Sequence, residues 1–486
     1  MRRITGIAAA AALTVLLGGC SQIETWMNET VATEAADQEP EATISPGPPL
    51  ETEETIEAFP ETEASGEADL WEAEGDGLRL IVATDIHYLA EELTDKGSGF
   101  TYAIEHGDGK VTNYIWEITD AFVAEVLTEN PDGVIISGDL SLNGEKASHE
   151  ELAEKLRQIT EAGIPVLVIP GNHDINNVSA ARFSGGERFP AETTSPEDFL
   201  EIYQDFGYAD ALSRDTESLS YVYQMNDYTR VMMLDTCQYD GGAQIGGMID
   251  TGTYEWIEEQ LIDASEKGMN ILPVAHHNML EESQIYASDC TIEHNEELVE
   301  LLEGWGLISL FLSGHLHVQH FANTDDATEA GIWEIVTSSL ATPPCQYGVL
   351  FYGDDQSFRY HTQVLDMDTW AEVNGVEDEN LLKFSQYRTP FLEKVFYNQA
   401  FDVLEKHKDG AIPDDVQEEM SRMYAIANCY YYWGRAVEIA KQMKESSTFR
   451  LWQEYGYPSL QTEYLEYILD EATRDYNLLR SDESPE

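Results

Sequence analysis

Val166-Leu167-Val168-Ile169-Pro170-Gly171-Asn172-His173-Asp174 runs four aliphatic residues into a proline-glycine break and then into three side chains able to ligate or hydrogen-bond, with no spacer. A short β-branched and aliphatic run reads as a buried strand, and the glycine frees the backbone that leaves it. The same grammar recurs. Leu80-Ile81-Val82-Ala83 leads into Thr84-Asp85-Ile86-His87, and Val134-Ile135-Ile136 into Ser137-Gly138-Asp139. Ile271-Leu272-Pro273-Val274-Ala275 leads into His276-His277, and the run 307–312 into Ser313-Gly314-His315-Leu316-His317. Helix-spaced apolar residues lie between or beside these runs at 114–128, 149–162, 254–267 and 293–303. That pattern predicts an α/β layered domain, in which ligand sites lie at the carboxyl ends of strands. A sixth run, Val231-Met232-Met233-Leu234, ends at Asp235, which reads as structural because acidic groups commonly form turns and caps at strand ends.

Singly, the motifs differ in weight. Asp85-x-His87 on an extended chain would put both side chains on one face, which suits chelation but also arises by chance. Gly138-Asp139 is an everyday turn, and His276, with His277 beside it, reads on its own as a satisfied core histidine. Gly171-Asn172-His173-Asp174 and Gly314-His315-x-His317 are more informative, and the order of all five decides. In that order, over approximately residues 78–365, they resemble the calcineurin-like metallophosphoesterase superfamily. Within it they are most similar to class III cyclic-nucleotide phosphodiesterases, especially bacterial lipoprotein members with a C-terminal helical domain.

The resemblance implies a four-layer αββα sandwich followed by an all-helical C-terminal domain. It assigns Asp85, His87 and His317 to one metal, Asn172, His276 and His315 to a second, and Asp139 to a bridge between them, a role that suits a carboxylate because its two oxygens can serve both cations. His173 would donate to the leaving group, with Asp174 orienting its ring through the other nitrogen. The chemistry is coherent, because phosphodiester hydrolysis needs a strong nucleophile and compensation for charge on the phosphoryl oxygens. Two cations about 3.5–4 Å apart supply both. Mixed oxygen and imidazole donors suit iron, manganese or zinc better than calcium. The expectation is attack by a hydroxide bridging the ions on a small phosphodiester, a cyclic nucleotide foremost. A phosphomonoesterase and a non-catalytic surface binding protein on the same fold are the alternatives.

Two features depart from the family pattern. Residues 90–109 read as an inserted loop, and Asn278 stands where many relatives have proline; both are expected where substrate is chosen. Thr337-Ser338-Ser339-Leu340 with Pro343-Pro344 reads as a structural turn that could also line the pocket. His294, His320, His361 and His407 have no motif context.

Composition bounds the partners. The 486 residues are 42% apolar and carry 26 Lys and Arg against 92 Asp and Glu, a formal charge of −66. Such a field disfavours nucleic-acid polymers and requires a local positive charge for any small anionic substrate. Arg2 and Arg3 precede an apolar run ending Leu17-Gly18-Gly19-Cys20, which resembles the lipobox of bacterial lipoproteins and implies a signal peptide over 1–19 with Cys20 as the lipidated residue; an ordinary signal peptide is the alternative. Residues 20–77 are expected to form an acidic disordered tether: the stretch 21–77 holds 17 acids and no Lys or Arg. The expected location is the extracytoplasmic face of the cell membrane, held there through the N-terminal lipid. Cys237, Cys290, Cys345 and Cys429 allow pairing without requiring it.

Domain boundaries are expected at 78–365 for the dimetal phosphoesterase domain and 366–486 for the helical domain. In the latter, helix-spaced stretches at 381–407, 414–446 and 459–479 are broken by Pro390, Pro413 and Pro458. Cys429-Tyr430-Tyr431-Tyr432-Trp433 is expected to pack partly on the preceding domain, with a grip on a nucleobase or glycan as the alternative.

Overall fold

The computed structural model describes residues 77–282, 290–325, 327–406, 412–456 and 460–481. The signal segment, Cys20, the tether, His407 and Pro458 lie outside them. In chain order the strands are β1 (Gly77–Ala83), β2 (Gly133–Ile136), β3 (Val166–Val168), β4 (Ala181–Ser184), β5 (Glu187–Pro190), β6 (Ser213–Arg214), β7 (Tyr221–Gln224) and β8 (Thr229–Leu234). They continue with β9 (Asn270–Ala275), β10 (Leu310–Ser313), β11 (His320–Asn323), β12 (Trp333–Val336), β13 (Gln346–Gly353), β14 (Phe358–Val364) and β15 (Leu478–Arg480).

Among the described residues they form two large sheets, ordered β15-β14-β13-β1-β2-β3 and β11-β12-β10-β9-β8-β7-β6, with β4 and β5 as a separate hairpin. The strands that carry the motifs run parallel within each sheet: β1 with β2, β2 with β3, and β9 with β10.

Period-two alternation builds the layers. Leu272 and Val274 of β9 and Leu310 and Leu312 of β10 share a core with Leu80, Val82 and Ile135 of the first sheet. The alternate residues Ile271, Ala275 and Phe311 pack with Trp256, Ile257 and Leu261 of the Thr251–Lys267 helix and Leu298 and Leu302 of the Asn295–Glu303 helix. The first sheet is covered by Ile118 and Phe122 of Ile115–Glu129 and by Leu152 and Leu156 of Lys146–Glu161. The outcome is the helix-sheet-sheet-helix sandwich expected from the resemblance. Each fully buried aliphatic side chain contributes roughly 1.5–3 kcal/mol to holding the layers together.

Beyond Asp366 the chain is mainly helical: Met367–Val373, Phe384–Lys406, Asp414–Tyr432, Val437–Glu445, Ser447–Leu451 and Leu460–Asp470. Pro390 does not break the first long helix, which runs through it with Phe384, Leu392, Val395 and Phe396 buried. A proline there removes one hydrogen bond, and the packed face outweighs that loss. The sequence also gave no sign of β15, which pairs with β14 through Arg359 and Arg480, Tyr360 and Leu479, and His361 and Leu478. Three residues are too few for a periodic signal.

The helical region is thereby stitched to the sandwich. Trp433 Nε1 donates to the Pro343 carbonyl at 2.8 Å, and Gln319 N donates to the Tyr432 carbonyl at 3.1 Å. Val318 is buried in the helical region's own core beside Met420, Tyr431 and Leu465. Cys429 and Trp433 pack with Leu392, Phe396 and Ala425. The aromatic run is packing surface at these positions.

Residues 90–109 are more structured than the expected loop. They contain a single turn at Glu91–Leu93 and a helix at Ser98–Glu105. Leu93 and Phe100 pack with Phe183 of the β4–β5 hairpin, the Phe100 and Phe183 rings 5.5 Å apart. That small core forms only when two distant segments meet, so local composition did not announce it. All four cysteines in the described residues are free thiols. No described helix is long and apolar enough to cross a membrane.

Candidate metal centre

Every motif leaves its strand at the same end of the sandwich. The backbones past β1 and β2 stay paired there: Asp85 N donates to Gly138 O at 3.0 Å and His87 N to Asp139 O at 2.9 Å. Gly314 N donates to His276 O at 3.0 Å, joining the ends of β9 and β10. The two sheets are then tied to each other, as His315 N donates to Asp85 Oδ2 at 3.0 Å and His276 Nδ1 meets the Ser137 carbonyl at 2.9 Å.

The expectation that Asp85 and His87 sit on extended chain is wrong. Asp85, His87, Asp139, His315 and His317 have φ of 52°, 47°, 48°, 71° and 60°. Left-handed backbone is unusual for residues with a side chain, although Asp, Asn and His tolerate it best. At about 1–3 kcal/mol each, such strain persists only where the surroundings enforce it. Here it turns each side chain off its strand and into one buried space.

In that space two donor sets meet. His87 Nε2 and His317 Nε2 are 2.9 Å apart, and Asp85 Oδ1 lies 3.2 Å from His317 Nε2 and 3.7 Å from His87 Nε2. On the other side His276 Nε2 is 3.0 Å from Asn172 Oδ1 and 3.2 Å from His315 Nδ1. Asp139 Oδ2 stands between, 3.6 Å from His87 Nε2 and 3.5 Å from His276 Nε2. The groups Asp85-His87-Asp139-His317 and Asp139-His276-His315 each converge tightly enough to hold an ion, and they share Asp139.

A single oxygen of each carboxylate does the presenting. Asp85 Oδ2 accepts from Thr84 Oγ1 at 2.6 Å as well as from His315 N, leaving Oδ1 buried without a hydrogen-bond donor. Asp139 Oδ1 accepts from His173 N at 2.8 Å, so Oδ2 alone faces both sets. Both Asp139 oxygens are expected to serve a bridge; in the structure Oδ2 is the one that lies near both donor sets. Close approach requires glycine beside each clamp: a β-carbon on Gly171 would collide with the Asp139 carboxylate, and one on Gly314 with Thr84 Oγ1.

Electrostatics agree with the geometry. Burial alone would raise the Asp85 and Asp139 carboxyls, but the surrounding imidazoles, His317 for Asp85 and His276 for Asp139, hold both well below the ordinary range. Burial favours a neutral His276, yet the Asp139 carboxylate outweighs it and lifts the ring to about 9. Burial, and next the Lys110 ammonium, press His87 down to about 3. A buried assembly of ionised carboxylates and ring nitrogens calls for a cation. Mixed imidazole and oxygen donors fit iron, manganese or zinc.

His173 lies at the edge of this space, its Nε2 3.9 Å from Asp139 Oδ2 and its ring edge-on to His87 at 4.9 Å. The orienting group differs from the expected one. His173 Nδ1 is directed by the Leu142 carbonyl at 2.9 Å and Asn143 Oδ1 at 3.1 Å. Asp174 instead braces the loops, accepting from Leu140 N, Ser141 N, Ser141 Oγ and Gly171 N at 2.8–3.0 Å, with His149 Nε2 3.6 Å from its Oδ1. Asn-His-Asp adjacency suggested a dyad; the turn separates the two side chains.

Other candidates resolve by their partners. Asn278 is fully buried and donates to Ser313 Oγ and Gly314 O, so it latches strand ends instead of facing substrate. His277 is held between Thr236 Oγ1 and the Ile245 carbonyl. Asp235 accepts from Leu219 N, Cys237 N and Tyr239 OH. Ser339 Oγ donates to the Asp85 carbonyl at 2.8 Å, which makes the 337–340 turn a support of the first donor set. His320 pairs with Glu282. Sequence reasoning passed over Lys110, a buried lysine bonded to Asp108 at 2.8 Å.

Comparison with known proteins bears on this geometry. Residues 78–319 match the calcineurin-like phosphoesterase family, and residues 366–475 match the family described as the C-terminal domain of cyclic nucleotide phosphodiesterase. A probable cyclic nucleotide phosphodiesterase of Synechococcus sp. is 25% identical over 188 residues, which cover 39% of this chain and 58% of that protein. The match thus spans less than two thirds of the relative's length. A dimetal phosphatase from Danio rerio aligns over 60% of this chain and 96% of its own at 13% identity, with a TM-score of 0.44. A sulfate thiohydrolase from Thermus thermophilus, in complex with glycerol, aligns over 60% and 57% at 13% identity, with a TM-score of 0.32.

If Asp174 braces the loops, Asp174→Ala strands several buried donors, at about 1–3 kcal/mol each. Urea unfolding is expected to show a loss of about 3 kcal/mol or more. Unchanged stability with reduced turnover alone would return Asp174 to an orienting role.

Proposed function

We propose that this chain, which carries a calcineurin-like phosphoesterase domain followed by a C-terminal domain of the cyclic nucleotide phosphodiesterase type, hydrolyses small phosphodiesters, cyclic nucleotides foremost. The observation that carries the reading is the pair of buried donor sets sharing Asp139 Oδ2. Asp85, His87 and His317 would hold one ion and Asn172, His276 and His315 the other, with Asp139 common to both. When bound, such a pair supplies Lewis acidity, an activated water at neutral pH and neutralisation of phosphoryl charge.

The protein's own groups do the rest. The clamped carboxylate oxygens and the left-handed backbones hold the donors in place before substrate arrives, so no reorganisation is needed during reaction. Asn172 contributes a neutral oxygen, which limits negative charge on its side of the site. His173, its Nδ1 directed at the Leu142 carbonyl, turns Nε2 inward and in its protonated form donates to the leaving-group oxygen.

The cyclic-nucleotide preference rests on the C-terminal family match and on the similarity to the probable cyclic nucleotide phosphodiesterase of Synechococcus sp.. Location rests on sequence: the apolar run ending at Cys20 and the acidic stretch after it support a lipid-anchored, extracytoplasmic enzyme.

Three experiments test these statements. A manganese-reconstituted panel of cyclic nucleotides, linear dinucleotides, nucleoside monophosphates and glycerophosphodiesters is expected to show turnover of the diesters first. Preference for monophosphates would make it a phosphomonoesterase, and metal binding without turnover a binding protein. Asp139→Asn is expected to abolish both bound metal and activity, whereas His173→Asn should lower kcat by about 100-fold with metal content intact. Full activity in Asp139→Asn, or metal loss in His173→Asn, contradicts the corresponding role. Finally, Cys20→Ser should move the protein from the membrane to the soluble fraction; unchanged membrane retention removes the lipid anchor.

A further inference from the structure

An anionic substrate must approach a chain of formal charge −66, so cations at the site matter more than usual. Among the described residues, two basic side chains are buried, Lys110 and Arg230. Arg230 lies near the start of β8, where Asp263 takes its guanidinium at 2.8 Å. That is the opposite end of the strand from the carboxyl-terminal rim. Lys110 lies close enough to the centre for its ammonium to act on His87.

Its position is set by a short backbone relay. Ala341 N donates to the Asp85 carbonyl at 3.4 Å, and Val111 N donates to the Ala341 carbonyl at 2.8 Å. Val111, the residue after Lys110, is therefore linked through Ala341 to the backbone of Asp85. Asp108 holds the Lys110 ammonium at 2.8 Å, and both side chains are mostly shielded, at 9% and 19% exposure. Their charges reach the donor set: the ammonium acts on His87, and the Asp108 carboxylate interacts with His87 and His317. Lysine is rarely buried, and a buried ammonium beside a metal donor set, within an acidic chain, has an evident use where the substrate is a phosphoryl anion.

We propose that Lys110 binds the phosphoryl group of the substrate, its ammonium donating to a nonbridging oxygen beside the Asp85-His87-His317 donors. The inference rests on the phosphodiesterase reading and names the residue that recognises the anion. Asp108 is the positioning residue that aims the ammonium. The segment bearing both is clamped from the C-terminal region: Gln399 Nε2 donates to the Gly107 carbonyl at 2.8 Å, and Lys394 bonds Glu105 at 2.8 Å. Gly109, at φ 97°, packs directly on Leu392 of the same helix. The helix Phe384–Lys406 thus governs where the cation stands.

The test compares manganese-loaded wild type with Lys110→Met, Lys110→Gln and Lys110→Arg. Inorganic phosphate binding is measured by calorimetry, bis(p-nitrophenyl) phosphate turnover by kinetics, and bound manganese by elemental analysis. Removing a charge-assisted hydrogen bond is expected to weaken phosphate binding and raise KM by about tenfold or more. The kcat is expected to stay within about threefold and the manganese content unchanged, since the group binds anion and not metal. Lys110→Arg should recover most of the loss. Lys110→Gln, which keeps a hydrogen-bonding partner for Asp108, decides the matter if Lys110→Met melts early. Wild-type phosphate affinity in either neutral variant overturns the proposal and makes the ion pair structural, and so does a wild type that binds no phosphate. A wild type that binds manganese and phosphate yet hydrolyses no diester ends the phosphodiesterase reading and leaves the Lys110 comparison to stand on affinity alone.

Discussion

The crowding of buried imidazoles and carboxylates is the constraint that the rest of this structure answers. Two imidazole nitrogens stand 2.9 Å apart at His87 and His317, two more stand 3.2 Å apart at His276 and His315, and ionised carboxylates complete both sets. Such an arrangement has no reason to persist in a protein interior unless it is held by force and relieved by a cation. The force is visible in the backbone, where five donor residues adopt left-handed φ. It is visible again in the clamped oxygens, Asp85 Oδ2 under Thr84 and His315 and Asp139 Oδ1 under His173. The fold supplies what sustains it: two sheets with a common hydrophobic core, whose strand ends are bonded together across the site.

The helical region belongs to the same mechanical problem. His317 sits between Leu316 and Val318, and Val318 is buried in the helical core, while the Gln319 amide bonds the Tyr432 carbonyl. Trp433 holds Pro343, just past the 337–340 turn that supports Asp85. Gln399 and Lys394 hold the segment leading to Lys110. One packed unit therefore braces a metal-donor loop, the turn beneath another donor and the proposed anion-binding lysine. β15 closes the arrangement by returning to the edge of the first sheet.

Substrate recognition in so acidic a protein is a contest between a long-range repulsive field and a few short-range attractions. Solvent and salt screen the surface acids, whereas buried charges act through a less polarisable medium. A pair of cations and one shielded ammonium can dominate at close range despite a net charge of −66. Asp174 and Asn278, which sequence placed near the chemistry, hold loops and strand ends together instead.

The amino-acid sequence by itself determined the α/β layering, the identity of the donor-bearing strand ends and the order in which they come. These follow from local regularities: apolar runs of strand length, helical spacing between them, and glycine where the chain must turn sharply. Pairings between residues far apart in the chain were decided only by tertiary structure. Asp139 presents one oxygen because His173 N takes the other, and His173 is aimed by Leu142 instead of its neighbour Asp174. Residues 90–109 hold a turn and a short helix over a small core in which Phe100 meets Phe183. Lys110 carries no motif, and its place depends on the Ala341 relay and on a helix almost three hundred residues downstream. Periodicity records which face of an element is buried; it holds no record of which distant element covers that face, so the hydrogen bonds and charges that cross between elements had to be read from the folded chain.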